Sequence, residues 1–212
     1  MSETSRLGDR IAGDARGRAA RAARAIIATL VASDLSDARA ELVAAELERV
    51  ARELEPHTKS SRYEDPEVAT AAAYERGGAA LHEDHELFRT HPLVGRWHPL
   101  APPLKMRSLH PVPVAEVTYG VAYEGMPGLV HGGFIALAFD YITVLTAFLH
   151  DAAGVTGSLQ VKYRRPVPLG VVLEYSAEPV RTSGRSMIVR GRLDGPDGLC
   201  AEAETLVITP RH

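Results

Sequence analysis

The spacing of apolar residues predicts two helices at the start of the chain. In the second, apolar side chains recur at intervals of four, three and four residues, which is the period of one helical face: Val43, Leu47, Val50 and Leu54. An Ala/Arg-rich helix precedes it, and serines at 33 and 36 offer N-caps. We expect a helical extension over residues 1–55, ending before Pro56. The net charges, +3 over 1–24 and −4 over 34–55, would allow the helices to pair as a hairpin. We expect instead two helices with solvated, charged faces, each covering part of the core.

The middle of the chain shows no regular period. Residues 56–113 contain eight of the fourteen prolines, which predicts an extended connecting segment. Its residues 92–103 form a proline-rich strap that we expect to lie across the domain surface. The segment also contains His-Glu-Asp-His-Glu, but His82 and His85 are three residues apart and not the four of a helical zinc motif. We therefore expect a solvated polar segment there and no metal site.

The last part of the chain alternates between apolar and polar residues, with one interruption. Alternation predicts strands at Val114 to Tyr123 and near 156–164, 171–182, 185–194 and 199–209. Short turns at 183–184 and, more loosely, at 194–198 imply antiparallel pairing. The interruption is an apolar run, Phe134 to Leu149, with one charge, Asp140. A helix apolar on nearly every side must be surrounded, so we predict an α+β fold in which a curved antiparallel sheet wraps around this helix.

Composition narrows the class of protein. A net charge of −3 gives no signal for nucleic acid. The single cysteine, Cys200, fits a reducing compartment, and the N-terminus lacks the apolar core of a secretory signal. Three acidic residues interrupt the N-terminal arginines, which disfavours a mitochondrial targeting peptide. The apolar run is shorter than the roughly 20 residues of a membrane span and carries Asp140. We expect a cytoplasmic protein without a membrane span.

The chemistry-bearing residues cluster around the start of the apolar helix. His131, Gly132 and Gly133 precede the run, and glycines there let a ligand approach the backbone closely. The first N–H groups of a helix have no internal partner and lie at its positive end, so they suit a carbonyl oxygen that gains negative charge. Asp140 is costly in such a helix unless it is paired or functional.

These residues and their spacing resemble a known family. His-Gly-Gly, an Asp nine residues after the His, and Thr156 sixteen residues after that Asp are similar to the PaaI-like acyl-CoA thioesterases, a branch that includes mitochondrial acyl-CoA thioesterases. Tyr163 to Pro168 and the turn Gly184-Arg185 also resemble this family. The resemblance covers about residues 92–209. It implies the hotdog fold, with residues 114–212 as the thioesterase domain.

The resemblance also implies an activity and roles for particular residues. It implies hydrolysis of a fatty or aromatic acyl-CoA, without a cofactor or metal. Gly132 N–H would polarise the carbonyl, and Asp140 would act as base or nucleophile. Thr156 would orient water or bond Asp140, and His131 would position the loop. The family positions that contact substrate correspond to Gly133, Lys162, Arg164, Arg185 and Ser186.

The spacing of the two principal residues predicts an oligomer. Gly132 and Asp140 are eight residues apart, or roughly 12 Å along one helix, so one carbonyl cannot readily contact both. We therefore expect an obligate homodimer, with Gly132 from one subunit and Asp140 from the other, as in the family. Pairing of dimers into tetramers stays open.

Two other functions remain open at this point. A hotdog dimer could bind an acyl-CoA without turning it over. Hotdog hydratases and dehydratases act on CoA or carrier-protein thioesters, but one hydratase pattern has a His five residues after the catalytic Asp, where this chain has Leu145. The His-Phe-Pro-Gly loop of the carrier-protein dehydratases is also absent from the sequence.

Overall fold

The fold is an antiparallel sheet packed on a long helix, preceded by two further helices. The computed structural model describes residues 14–61, residue 64, residues 89–110 and residues 112–210. These residues form helices α1 (Ala15–Ala32), α2 (Asp37–Leu54) and α3 (Gly132–Leu149) and short 3-10 helices at Glu55–His57 and Val121–Tyr123. The strands are β1 (Lys105–Ser108), β2 (Val114–Val117), β3 (Val155–Tyr163), β4 (Leu173–Ser183), β5 (Ser186–Gly195) and β6 (Gly198–Ile208).

The six strands form one sheet in the order β1-β2-β4-β5-β6-β3, and every neighbouring pair is antiparallel. The predicted tight turn between β4 and β5 is confirmed: Gly184 has φ 56°, which suits glycine. The turn between β5 and β6 is tighter than predicted, because pairing continues to Gly195 and Gly198. Strand β3 lies at one edge of the sheet.

Two features differ from the expected strands. The strand predicted from Val114 to Tyr123 ends at Val117, because the pairing of β2 with β4 stops at Leu173. Alternate burial continues to Tyr119, which is why the sequence pattern looks longer than the strand. Strand β1 lies within residues 56–113, where only a connecting segment was expected. The division of the chain at residues 55 and 113 stays a prediction.

Helix α3 packs with one side on the sheet. Its contacts are with β3, β4, β5 and β6. Phe139 is fully buried, and its ring meets Tyr175 edge-on at 5.1 Å. A Cβ at Gly191 would lie 2.7 Å from the Phe139 ring, so the sheet approaches the helix closely there. The hydroxyls of Tyr175 and Tyr119 lie 3.2 Å apart, and burial raises the pKa of Tyr119 to about 12, so that phenol stays neutral at physiological pH.

The other side of α3 is only partly covered. Gly133 and Leu137 are exposed, and Asp140, Tyr141 and Val144 are half-buried. These positions are spaced as one helical face. The predicted α+β fold, an antiparallel sheet around a long central helix with an N-terminal helical region, is confirmed. Within one chain the sheet covers one side of α3. By length and composition α3 could cross a membrane, yet half of it is buried inside this molecule, as in the core helix of a globular domain.

The two N-terminal helices differ in how they are held. Asp14 caps α1 by accepting from Gly17 N–H at 3.0 Å, and Trp97 Nε1 of the strap donates to the same carboxylate at 2.8 Å. Arg24 donates to the carbonyl of His98 at 2.8 Å. Helix α2 has no buried residue, so the expectation that it covers part of the core is wrong. Helix α1 packs on the strap and the 3-10 helix Val121–Tyr123.

Candidate active site

The N-terminus of α3 presents one open backbone donor. His131 is the N-cap, and its Nδ1 accepts from Gly133 N–H at 3.0 Å. The carbonyl of His131 accepts from Phe134 N–H at 3.0 Å. Within the described part of the chain, Gly132 N–H has no hydrogen-bond acceptor. Gly132 N–H, the donor that the sequence singled out, is thus left for a ligand, and His131 serves as the N-cap.

Tyr163 holds this helix start in place, and the candidate residues drawn from the sequence did not include it. Its hydroxyl, at the end of β3, donates to the Gly132 carbonyl at 2.8 Å. A Cβ at Gly132 would lie 3.1 Å from that hydroxyl, so glycine allows the close approach. Tyr163 belongs to the Tyr-Arg-Arg-Pro stretch that resembles the family. Its contact with Gly132 is visible only in the folded structure.

A cavity of about 630 Å³ opens in front of Gly132. Its walls are mostly apolar and come from the turn before the helix and from the end of β3; among them are Met126, Leu129, Ile135, Tyr163 and Val167. Arg164 and Arg165 lie at its edge. This volume falls in the range of about 300–1,000 Å³ typical of ligand sites.

Asp140 lies on the partly covered side of α3, with a defined partner. Oδ1 accepts from the Thr156 hydroxyl of β3 at 2.6 Å. Thr143, the other partner considered from the sequence, donates to the Phe139 carbonyl at 2.7 Å, and its oxygen lies 2.8 Å from the Thr205 hydroxyl oxygen, which can donate to it. The carboxylate is therefore oriented by β3, and its half-buried position leaves it reachable by water.

The structure does not bring Gly132 and Asp140 together within one chain. Both lie on α3, eight residues and roughly 12 Å apart. Tyr163, beside Gly132, and Thr156, beside Asp140, lie near opposite ends of β3, seven residues or roughly 23 Å apart. The two groups of candidate residues therefore lie near opposite ends of β3.

The residues expected to contact CoA are divided in the same way. Lys162 and Arg164 lie near the Gly132 end of β3. Ser186 lies at the other end, because it pairs with Ile208, which in turn pairs with Val155. Arg185 precedes Ser186 and donates to the Thr209 carbonyl at 3.0 Å.

One of these cations, Arg164, already forms an ion pair. Arg164 Nε lies 2.7 Å from a Glu202 carboxylate oxygen, and this hydrogen bond holds the pKa of Glu202 below its usual range. Both side chains are partly exposed, so the pair contributes little to stability. A phosphate could therefore compete for Arg164 at little cost.

The histidines of the middle segment do not form a site in the described residues. His82 and His85 lie outside those residues. His91 Nδ1 accepts from Leu93 N–H at 3.1 Å, and its ring lies 4.9 Å from that of Tyr141. His98 Nδ1 accepts from Leu100 N–H at 3.3 Å. Within the described ranges, no group of three His, Cys, Asp or Glu residues could hold a metal ion.

Comparison with curated proteins relates the chain to acyl-CoA thioesterases over part of its length. Over 91 residues it is 32% identical to acyl-coenzyme A thioesterase THEM4 of Mus musculus, covering 42% of this chain and 39% of that protein. The Xenopus laevis protein of that name is 33% identical over 91 residues, covering 42% and 41%. The chain thus spans about two fifths of the length of these relatives.

A family model matches the part of the chain that holds the candidate site, and one solved structure matches nearly the whole chain. The family model described as thioesterase superfamily matches residues 127–201, which include Gly132, Asp140 and Thr156. Zebrafish thioesterase superfamily member 2 shares the fold, with 18% identity and a TM-score of 0.53 over 62% of this chain and all of that one. A crystal structure of a thioesterase superfamily protein is 30% identical, with a TM-score of 0.75 over 92% of this chain and 91% of that one. The resemblance inferred from the sequence is confirmed, and this chain belongs to the thioesterase superfamily.

Proposed function

We propose that this protein is an acyl-CoA thioesterase that hydrolyses a fatty or aromatic acyl-CoA to the free acid and CoA. The observation that carries the proposal is that the chain holds both an open helix N-terminal donor, Gly132 N–H, and a carboxylate, Asp140, that is oriented by Thr156. These are the two groups that acyl transfer to water requires. The curated relatives named acyl-coenzyme A thioesterase support CoA as the thiol.

The proposed active site combines half-sites from two chains. Strand β3 is a nine-residue edge strand with mostly exposed side chains, and such an edge favours pairing with another chain. If β3 pairs antiparallel with its copy, the Gly132 end of one chain meets the Asp140 end of the other. The same pairing brings Arg164 of one chain towards Arg185 and Ser186 of its partner. The partly covered face of α3, which carries Asp140, is then available to the second subunit.

The chemistry follows from this arrangement. The thioester carbonyl accepts a hydrogen bond from Gly132 N–H, which strengthens as the oxygen gains negative charge. Asp140 of the other subunit takes a proton from water as the water oxygen bonds to the carbonyl carbon. The tetrahedral intermediate then expels the CoA thiolate, which takes up a proton. Direct attack by Asp140, followed by hydrolysis of the anhydride, uses the same groups.

The residues around the half-sites suit the rest of the substrate. Lys162, Arg164, Arg185 and Ser186 supply cations and a hydroxyl for the CoA phosphates, and arginine binds phosphate through paired hydrogen bonds. Gly133 keeps the backbone beside the thioester free of a side chain. We place the activity in a reducing compartment such as the cytoplasm, which suits the free thiol of Cys200.

Release of free thiol from acyl-CoAs tests the proposal. Purified protein is expected to release CoA from at least one of acetyl-, decanoyl-, palmitoyl- and phenylacetyl-CoA, at a rate proportional to enzyme. The same assay with enoyl-CoAs, followed as hydration of the double bond, serves as the comparison. Hydration without thiol release would overturn the proposal in favour of a hydratase. Binding of acyl-CoA without either reaction would indicate a binding protein.

Mixed dimers test the division of the site between subunits. Gly132→Pro removes the N–H of one half-site and Asp140→Asn disables the other, so each homodimer is expected to be nearly inactive. Co-expression of the two variants should restore about a quarter of wild-type activity, since half of randomly assembled dimers are mixed and each holds one intact site. If each variant carries a different affinity tag, purification on both tags isolates the mixed dimers, whose activity can then be measured directly. Mixed dimers no more active than the parents would contradict a shared site.

A further inference from the structure

A second cavity lies between the N-terminal helix and the start of α3. Its volume is about 340 Å³. Three parts of the chain line it: α1, the strap, and the 3-10 helix together with the first turn of α3. The lining residues on α1 are Arg24, Ala25, Ile27 and Ala28, and the lining residue on α3 is Phe134.

The lining of this cavity suits a hydrocarbon group and not a charged one. Apart from Arg24, every residue that lines it is apolar or aromatic. The Arg24 guanidinium is held by the His98 carbonyl at 2.8 Å. Ile27 is 41% exposed and Leu100 is 70% exposed. Both apolar side chains line the cavity, Leu100 largely and Ile27 partly open to water, and an apolar occupant would cover them.

The cavity lies close to Gly132 N–H, the proposed donor to the thioester carbonyl, because Phe134 lines it two residues further along the helix. Phe134 forms its inner wall, and the Phe134 ring lies 4.9 Å from Tyr123 and 6.2 Å from His131, centre to centre. On a helix, Phe134 lies about 200° around the axis from Gly132. The cavity edged by Arg164 and the cavity lined by Phe134 therefore lie on opposite sides of the first turn of α3.

We propose that the cavity between α1, the strap and Phe134 binds the acyl group of the substrate, and that α1 thereby sets acyl-chain specificity. A thioester whose carbonyl meets Gly132 N–H would direct its CoA part towards Arg164 and its acyl part towards Phe134. This assignment rests on the proposed thioesterase function and extends it to a substrate class.

The size of the cavity indicates a medium-chain acyl group. If a methylene takes roughly the 30 Å³ of a water molecule in the liquid, the cavity holds a chain on the order of ten carbons. Its wall is already formed, because Asp14 and Arg24 attach α1 to the strap through Trp97 and His98. The ligand therefore need not order α1 when it binds.

Filling the cavity from α1 tests the proposal. In Ala28→Trp the indole would occupy the acyl position, whereas Ala22→Trp places the same side chain at an exposed α1 position that does not line the cavity. Calorimetry with decanoate alone is expected to show a Kd at least tenfold higher for Ala28→Trp than for wild type or Ala22→Trp. The kcat/KM for decanoyl-CoA should fall by a similar factor, with acetyl-CoA little affected. If Ala28→Trp does not fold, Ala25→Trp replaces it, since Ala25 also lines the cavity but is exposed. The same rise in Kd for decanoate and fall in kcat/KM for decanoyl-CoA are then expected.

The outcomes separate this inference from the proposed function. Decanoate that does not bind wild type, or that binds Ala28→Trp equally well, overturns the acyl site even if acyl-CoAs are hydrolysed. Decanoate binding that Ala28→Trp blocks, in a protein that hydrolyses no acyl-CoA, supports the cavity as an acyl site and overturns the thioesterase proposal. Equal effects of the tryptophans at 22 and 28 would trace the loss to α1 in general and also overturn the assignment.

Discussion

Replacing Asp140 by Asn is expected to lower kcat for acyl-CoA hydrolysis by about 10²–10⁴-fold, the usual contribution of a positioned general base. Asparagine has nearly the same shape, and its amide oxygen can still accept the Thr156 hydroxyl that lies 2.6 Å from Asp140. The geometry is therefore kept while the group that takes the proton is lost. Thiol release under saturating substrate measures kcat.

The matched control is Asp151→Asn, two residues beyond the end of α3. Asp151 is exposed and has φ 58°, a conformation that asparagine also adopts readily. This variant should retain wild-type kcat. Unchanged kcat in Asp140→Asn would remove Asp140 from the mechanism. If Asp140 is the nucleophile and water attacks the Asp140 carboxyl carbon of the anhydride, a single turnover in ¹⁸O-labelled water with excess enzyme would give product acid without label. Its second oxygen would then come from Asp140, whereas attack of water on the thioester carbon would give singly labelled acid.

Replacing Gly132 by Pro is expected to lower kcat by about 10²–10³-fold, the cost of losing one oxyanion donor. Proline removes the N–H and is well tolerated at the first position of a helix. His131, the preceding residue, has φ −63° and ψ 129°, the extended conformation that a residue before proline prefers. The backbone thus accepts proline without leaving its present conformation.

The control for Gly132→Pro is Gly132→Ala, which adds a Cβ but keeps the N–H. That Cβ would lie 3.1 Å from the Tyr163 hydroxyl, so the tyrosine must shift by a few tenths of an ångström, and a smaller loss of kcat is expected. Circular dichroism and thermal unfolding establish that both variants fold. If alanine and proline lower kcat equally, the effect comes from the side-chain clash, and the donor role of Gly132 N–H is refuted.

The sequence predicts those parts of the fold whose signal is local. The run around Asp140 is too apolar for a surface helix, and Gly184 marks a turn that only a few residue types favour, so α3 and the β4–β5 hairpin were predictable. Strand β1 was not, because its four residues lie among prolines and pair only through contact with β2. The length of β2 was overestimated because burial continues beyond its last pair.

Of the contacts in the candidate site, the hydrogen bond between Thr156 and Asp140 was predictable from the sequence, but those that join other distant residues were not. The spacing of His131, Gly132 and Asp140 carries the family signal along one helix. The contact of Tyr163 with Gly132 joins residues 31 positions apart, and that of Trp97 with Asp14 joins residues 83 positions apart. Such contacts depend on packing between distant parts of the chain, and so does the attachment of α1 to the strap.

If two chains pair through the uncovered edge of β3, as proposed, the specific activity depends on the protein concentration. A site that requires two copies is absent from the lone chain, so specific activity in the proposed dimer would fall on dilution below the dissociation constant. The unpaired chain also exposes the strand that templates aggregation. In the proposed dimer, newly synthesised chains would therefore be inactive and prone to aggregation until they dimerise. Rapid dimerisation would both prevent aggregation and complete the active site.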